Sequence, residues 1–224
     1  METIVKYILI DEKIKYIDLR KYLYLVSAER QERIKKYLFD KDKITSLTAE
    51  LLIRKEACRT LGISDNKISF SYNEFGKPYL SNYPEYYFSI SHSEQCITFT
   101  HSNCPIGIDV EKVSEHDFDV AEKFFTNGEL NYLQESENKD IAFYDIWTKK
   151  EAYTKMLGTG LMTPLSSFDV TDKELRKNFV SKYISGYMIN VCSKNLKEKN
   201  FDLVFEEINL YELLKCDCNK ISVK

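Results

Sequence analysis

Short stretches of this chain alternate apolar and polar residues with period two, and longer stretches between them repeat every three to four residues. Residues 3–10 alternate weakly and predict a strand. Ser27 is placed as the N-cap of a helix running through Lys36, densely charged with Glu29, Arg30, Glu32, Arg33, Lys35 and Lys36. A second helix is expected from about Thr45 to Leu61, with Gly62 as its C-terminal cap. Residues 67–72, 86–91 and 96–101 read as strands, and Asn73-Glu74-Phe75-Gly76-Lys77-Pro78 as a turn. A strand over 107–111 precedes helices over 118–136 and 140–157. Strands at 168–171, 186–193 and 202–207 and a short helix at 209–215 complete an α+β pattern.

The pattern also repeats faintly. Arg54-Lys55-Glu56-Ala57-Cys58-Arg59-Thr60-Leu61-Gly62 echoes Lys149-Lys150-Glu151-Ala152-Tyr153-Thr154-Lys155-Met156-Leu157-Gly158. A capped helix with an early glutamate, Glu29 or Glu129, lies upstream of each copy. Chance is the competing reading, because Lys-Glu-Ala is common in helices. A true duplication predicts two α+β halves packed face to face, with a cleft between them as the natural ligand site.

The strand Gly107-Ile108-Asp109-Val110-Glu111 places Asp109 and Glu111 on one face, ~6.6 Å apart along the chain. Most Asp-x-Glu pairs are solvated strand faces. Two like charges also suit a hard divalent ion such as Mg²⁺, which takes one or two carboxylates plus substrate phosphates. Pro105-Ile106-Gly107 sets this strand off with a residue that allows close backbone approach. In Trp147-Thr148-Lys149-Lys150-Glu151-Ala152, helical spacing places Trp147, Glu151 and Lys155 on one side. Glu151 is then a third candidate carboxylate, and Lys150 and Lys155 are candidate cations for phosphate oxygens. The plain alternative is a surface Glu–Lys pair. Phe88-Ser89-Ile90-Ser91-His92-Ser93 offers hydroxyls and an imidazole, groups that suit phosphate oxygens. Arg30 and Arg33, one turn apart, are candidates to clamp a further phosphate.

Composition narrows the classes. A 43% hydrophobic and 30% charged chain of 224 residues is globular rather than disordered. A net charge of −3 gives no reason to expect nucleic acid, so any anion site must be built locally. No apolar run approaches the ~20 residues of a membrane span, and Met1-Glu2-Thr3 opens no signal region. Cys58, Cys96, Cys104, Cys192, Cys216 and Cys218 form no Cys-x-x-Cys pair, which favours reduced thiols in a cytoplasm.

Taken in order, Phe75-Gly76-Lys77-Pro78, Phe88-Ser89-Ile90-Ser91-His92-Ser93, Gly107–Glu111 and Trp147–Ala152 resemble the 4′-phosphopantetheinyl transferase superfamily, in its larger two-halved type. The resemblance implies an α+β fold of two similar halves about a pseudo-twofold, 1–103 and 104–224, active as a monomer. It implies transfer of phosphopantetheine from coenzyme A to a serine of an apo acyl or peptidyl carrier protein, with Mg²⁺ in the cleft. It implies Asp109, Glu111 and Glu151 as the metal set, and Glu129 or Glu151 as the base. It implies Lys155, with Lys150, at the pyrophosphate. Asp109, Ser46, Lys77, Pro78, Ser91 and His92 would hold coenzyme A, with Arg30, Arg33 and His92 near its 3′-phosphate. The chain departs from the family pattern at Thr45-Ser46, where Arg-Thr is usual, at Ser89 in place of Asn, and at Ala49 in place of Gly. A Mg²⁺-dependent nucleotide phosphohydrolase would share the carboxylates, and a non-catalytic carrier-binding homologue would share the fold.

Overall fold

The computed structural model describes residues 3–11, 18–197 and 203–215. The chain runs twice from a strand through helices to a closing hairpin. In the first pass, strand β1 (Thr3–Leu9) leads to helices α1 (Ala28–Lys36) and α2 (Asp40–Leu61). A small hairpin follows, β2 (Phe70–Tyr72) with β3 (Pro78–Leu80), and then the hairpin β4 (Tyr87–Ser93) and β5 (Cys96–Ser102). In the second pass, β6 (Ile106–Lys112) leads to α3 (Phe118–Phe124), α4 (Asn127–Glu135) and α5 (Lys139–Leu157). The hairpin β7 (Phe179–Ile184) and β8 (Tyr187–Ser193) closes it. The sheets are ordered β4-β5-β1-β9 and β6-β8-β7, so β1 and β6 hold matching places.

Each pass also ends its long helix the same way. Gly62 and Gly158 adopt φ of 65° and 76°, and their N–H groups return to Cys58 and Thr154 carbonyls. The polarity of the helix ion pairs is reversed between halves. Arg30, three residues after the Ser27 cap, pairs with Glu50 of α2; Glu129, three after the Thr126 cap, pairs with Lys150 of α5.

The core has four layers. Ile44, Leu47, Leu51 and Leu52 of α2 pack on Ile8, Phe88, Ile97 and Phe99 of the first sheet. The two sheets then meet through Val5 and Cys96 against Ile106, Ile108, Val110, Ile189 and Val191. Helix α5 covers the outer face of the second sheet through Ala152 and Met156. It lies so close that a Cβ on Gly107 would stand 1.9 Å from the Ala152 carbonyl oxygen. Gly107 is therefore the residue that lets helix and strand backbones touch.

The observed elements depart from the sequence reading in several places. Helix α2 starts at Asp40 rather than Thr45, with Asp40 and Asp42 in a first turn where carboxylates favour the helix dipole. The helix expected over 118–136 is two. Thr126 breaks it, because its hydroxyl accepts the Glu129 N–H while the Glu129 carboxylate accepts the Thr126 N–H. The strand expected at 67–72 shortens to Phe70–Tyr72, since Asp65–Lys67 forms a 3₁₀ turn. Residues 168–171 are irregular rather than a strand: Asp169 bonds back to Thr171, and Val170 N–H goes to Glu129. Strands β3 and β7 were not anticipated.

The first pass ends with β5 at Ser102 and the second begins with β6 at Ile106, and the chain end packs on the first. Strand β9 (Leu203–Glu207) pairs parallel with β1, and α6 (Leu210–Lys215) inserts Leu210, Leu213 and Leu214 into the α2 core. Cys58, Cys96, Cys104 and Cys192 carry thiols rather than disulfides, and Cys216 and Cys218 lie outside the described residues. Among the described residues, no helix is long and apolar enough to cross a membrane.

Candidate active site

Strand β6 is an edge strand of its sheet, and β4 is an edge strand of the other. An open edge leaves backbone N–H groups without partners. Here alternate serines of β4 supply them. Ser89 Oγ accepts the Ile108 N–H at 3.0 Å, and Ser93 Oγ accepts the Lys112 N–H at 3.1 Å. Ser91, between them, donates to Asp109 Oδ1 at 2.7 Å, and Ser93 donates to Glu111 Oε2 at 2.6 Å. A period-two run of serines thus joins the halves along the strand that carries the paired carboxylates. Two of the three hydroxyls read from sequence as phosphate contacts, those of Ser89 and Ser93, are engaged with β6 instead. The signal was present in the Ser-x-Ser-x-Ser spacing.

Asp109 is the centre of the arrangement. It is 4% exposed, and its Oδ1 accepts from Ser91 and from Lys155 Nζ, the latter at 2.7 Å. Its Oδ2 is buried with no hydrogen-bond partner. A buried carboxylate oxygen left bare is costly, and such an atom marks a place for a ligand or ion. Glu111 and Glu151 both lie within electrostatic reach of Asp109. Burial, the Asp109 charge and their mutual repulsion raise Glu111 above the usual carboxylate range, with the Ser93 hydroxyl opposing; burial and Asp109 raise Glu151. Three carboxylates with a bare buried oxygen fit a divalent cation, in the hard-oxygen chemistry that Mg²⁺ prefers. Among the described residues no three His, Cys, Asp or Glu side chains stand close enough to hold a metal ion by themselves.

Lys77 reaches across from the first half. Its ammonium donates to the backbone carbonyls of Lys155 and Ile106. Burial and the neighbouring Lys155 cation lower it to about 8. Asn73 orders the same turn by accepting the Phe75 and Lys77 N–H groups, and it donates to Gly158 O at 2.8 Å. Asn73 was read from sequence only as a turn residue. Pro78, Phe75, Phe88, Ile90, Thr154 and Gly158 line a cavity of 210 Å³ beside Lys155.

On the other side stand the nucleotide-side candidates. His92 is exposed at the end of β4, close enough to Lys155, Asp42, Asp109 and Arg33 to feel their charges; desolvation and then the Lys155 cation lower its imidazole. Arg33 is exposed and donates to Tyr37 Oη at 3.1 Å. Arg30 is held by Glu50 at 3.0 Å and donates to Ser46 Oγ at 3.2 Å, so Arg30 and Ser46 come together as a pair.

Two predicted residues do not join this cluster. Glu129 and Lys150 are each 0% exposed and pair with one another at 2.7 Å. Glu129 also accepts the N–H groups of Thr126 and Val170, and Lys150 donates to the Leu165 and Phe168 carbonyls. The structure therefore places Glu129, expected as a base, and Lys150, expected at a phosphate, in an enclosed ion pair where the carboxylate faces no open cleft and the ammonium's three donors are all engaged. Trp147 lies between Phe124 and Phe143, stacked on Phe143 at 6.2 Å, in the α3–α5 packing.

Known sequences resemble this chain over both of its passes. The 4′-phosphopantetheinyl transferase superfamily matches residues 105–205, and the N-terminal region of 4′-phosphopantetheinyl transferase matches residues 15–103. The 4′-phosphopantetheinyl transferase gsp of Aneurinibacillus migulanus is 36% identical over 195 residues, 86% of this chain and 75% of the relative. The 4′-phosphopantetheinyl transferase Sfp of Bacillus subtilis (strain 168) is 30% identical over 165 residues, 73% of this chain and 74% of the relative. The L-aminoadipate-semialdehyde dehydrogenase-phosphopantetheinyl transferase of Homo sapiens is 29% identical over 153 residues, 61% of this chain and 49% of the relative.

Proposed function

The chain belongs to the 4′-phosphopantetheinyl transferase superfamily, and from that membership we propose how its cleft moves a phosphopantetheine arm from coenzyme A to a carrier-protein serine. The enzyme is a transferase of this type, with coenzyme A and an apo carrier protein as its two substrates. The observation that carries the mechanism is the bare, buried Oδ2 of Asp109 beside the Lys155 ammonium.

Asp109, Glu111 and Glu151 would hold Mg²⁺ together with phosphate oxygens of the substrate. Bound there, the ion neutralises charge on the pyrophosphate. Phosphoryl transfer needs positioning and charge neutralisation more than covalent help. Lys155 supplies a mobile cation: its bond to Asp109 Oδ1 can be traded for a pyrophosphate oxygen, stabilising the leaving group. Arg33 lies within electrostatic reach of His92, and these two, with Arg30 and its partner Ser46, are assigned to the dianionic 3′-phosphate. The cavity walled by Phe75 and Pro78 offers apolar surface to a flat base, with Lys77 holding the wall in place.

The carrier serine oxygen forms a bond to the β-phosphorus, the bond to the departing 3′,5′-ADP oxygen breaks, and Glu151 takes the serine proton. Burial and the Asp109 charge raise Glu151 above its ordinary value, which makes its carboxylate a stronger base. Thiols without disulfides support a reducing, cytoplasmic setting, and an active cleft built from two halves of one chain supports a monomer.

The test is mass spectrometry of an apo carrier protein incubated with this enzyme, coenzyme A and Mg²⁺. The carrier is expected to gain one phosphopantetheine arm, to lose that gain with EDTA, and to gain nothing with Asp109→Ala or Glu151→Ala. Hydrolysis of coenzyme A without carrier modification would instead support a phosphohydrolase. Carrier capture without modification would support a binding homologue.

A further inference from the structure

Ser93 closes strand β4. Its hydroxyl makes two bonds into the opposite half, donating to Glu111 Oε2 at 2.6 Å and accepting the Lys112 N–H at 3.1 Å. Ser89, four residues back on the same face, makes only the backbone half of this pair, accepting the Ile108 N–H. The two serines therefore differ in one respect: Ser93 also grips a carboxylate.

We propose that Ser93 is a positioning residue of the transfer reaction, whose hydroxyl aims Glu111 into the divalent-cation site. The proposal rests on the reading of Asp109, Glu111 and Glu151 as the metal set. A glutamate side chain has several rotatable bonds and gains by reaching water. Glu111 is only half-buried, and the like charges of Asp109 and Glu151 push it outward. One bond of 2.6 Å from the other half opposes that drift. Partners that orient a metal-binding carboxylate are worth about 10–100-fold in metal affinity or activity. Because donor and acceptor sit on different halves, the approach of the halves sets the aim of the carboxylate.

The experiment titrates Mn²⁺ by electron paramagnetic resonance, with coenzyme A present, into the parent enzyme and its Ser93→Ala, Ser93→Thr, Ser93→Cys and Ser89→Ala variants. Ser93→Ala is expected to weaken Mn²⁺ by about 10–100-fold, and Ser93→Thr to restore it. Ser89→Ala is expected to lower thermal stability while its Mn²⁺ dissociation constant stays at the parent value. Ser93→Cys keeps the size with a weak donor; it carries the test if the alanine variant does not fold, and it should weaken Mn²⁺ as well. In steady state the Mg²⁺ concentration for half-maximal rate should rise more than the KM for the carrier. Parent-like Mn²⁺ affinity in a folded Ser93→Ala or Ser93→Cys, or equal losses in the Ser89 and Ser93 alanine variants, would overturn the proposal and leave Ser93 as mere glue. A parent enzyme that binds no Mn²⁺, or an Asp109→Ala variant that binds it equally well, would overturn the metal assignment itself.

Discussion

Replacing Glu129 should cost stability rather than chemistry. In Glu129→Ala the Lys150 ammonium stays buried with the Leu165 and Phe168 carbonyls and loses its paired carboxylate, keeping only the Asp169 charge nearby, and the Thr126 and Val170 N–H groups lose their acceptor. Removing one partner of a buried ion pair costs about 3–5 kcal/mol. Domains are typically stable by only about 5–15 kcal/mol, so roughly a fifth or more of the total is at stake. For a chain of this size, each kcal/mol moves the melting point by roughly 2–4 °C, which gives a fall of roughly 6–20 °C. The milder Glu129→Gln should lose less, because one carbonyl oxygen still accepts. The double variant Glu129→Gln/Lys150→Met should be more stable than the sum of the single losses predicts, since neither charge is then stranded. Urea unfolding at constant slope measures the losses, and phosphopantetheine transfer well below the transition measures turnover. The folded Glu129→Gln enzyme should keep near-parent kcat. A drop of about 10²-fold or more, with stability unchanged, is the behaviour of a catalytic base and would refute the structural assignment.

Other expectations follow from the same contacts. Glu151→Gln should abolish transfer yet raise the melting point of the metal-free enzyme near neutral pH, because it removes a half-buried charge repelled by Asp109; an unchanged or lower melting point would mean that the carboxylates do not strain one another. Lys77 has its folded pKa lowered to about 8, whereas the unfolded chain keeps that proton to ~10.4. The unfolded state then binds more protons between these values, so this site adds stability as pH climbs through that window. Lys77→Met should remove the alkaline rise, and parallel pH–stability curves for parent and variant would refute it. Gly107→Ala should prevent the β6–α5 approach, since its Cβ meets Ala152 O at 1.9 Å and Met156 N at 2.5 Å; soluble, parent-like protein by circular dichroism would show that the contact yields more easily than the backbone positions indicate.

Much of this site is legible in the chain because its signals are local. Strand periodicity puts Asp109 and Glu111 on one face, helical spacing brings Glu151 and Lys155 together, and the need for a small residue at Gly107 follows from the backbone approach. What the local pattern did not show turns on partners distant in sequence. Glu129 and Lys150 carry the residue types of a base and a phosphate ligand, but their burial depends on residues 165–170 folding over them. The serines of β4 suit phosphate oxygens, yet an open strand edge captured two of them. Strand β7 is half-exposed along its length and shows weak alternation, so pairing with β8 decides it. The return of β9 to β1 is likewise a long-range parallel pairing that no local pattern announces.

The duplicated order of elements raises the question of why one cleft carries the chemistry. In the second half, Asp109 on β6 faces α5, where Glu151 and Lys155 stand, and the free edge of β6 looks onto β4. In the first half, Lys6 on β1 holds the corresponding place beside α2, and Glu56 matches Glu151 in the repeat. Lys6 Nζ lies 3.4 Å from Glu56 and 2.9 Å from Glu206 of β9, and Glu56 is gripped as well by Arg59. The edge of β1 is closed by the β9 ladder from Thr3 to Tyr7. A built-in ammonium and a paired edge therefore satisfy the first half internally. The second half keeps an open edge and a carboxylate oxygen without a partner. Two copies of one scaffold thus reach opposite ends. One is saturated by its own side chains and serves as the wall of the cleft, and the other keeps a buried carboxylate oxygen without a partner, as the metal site proposed above requires.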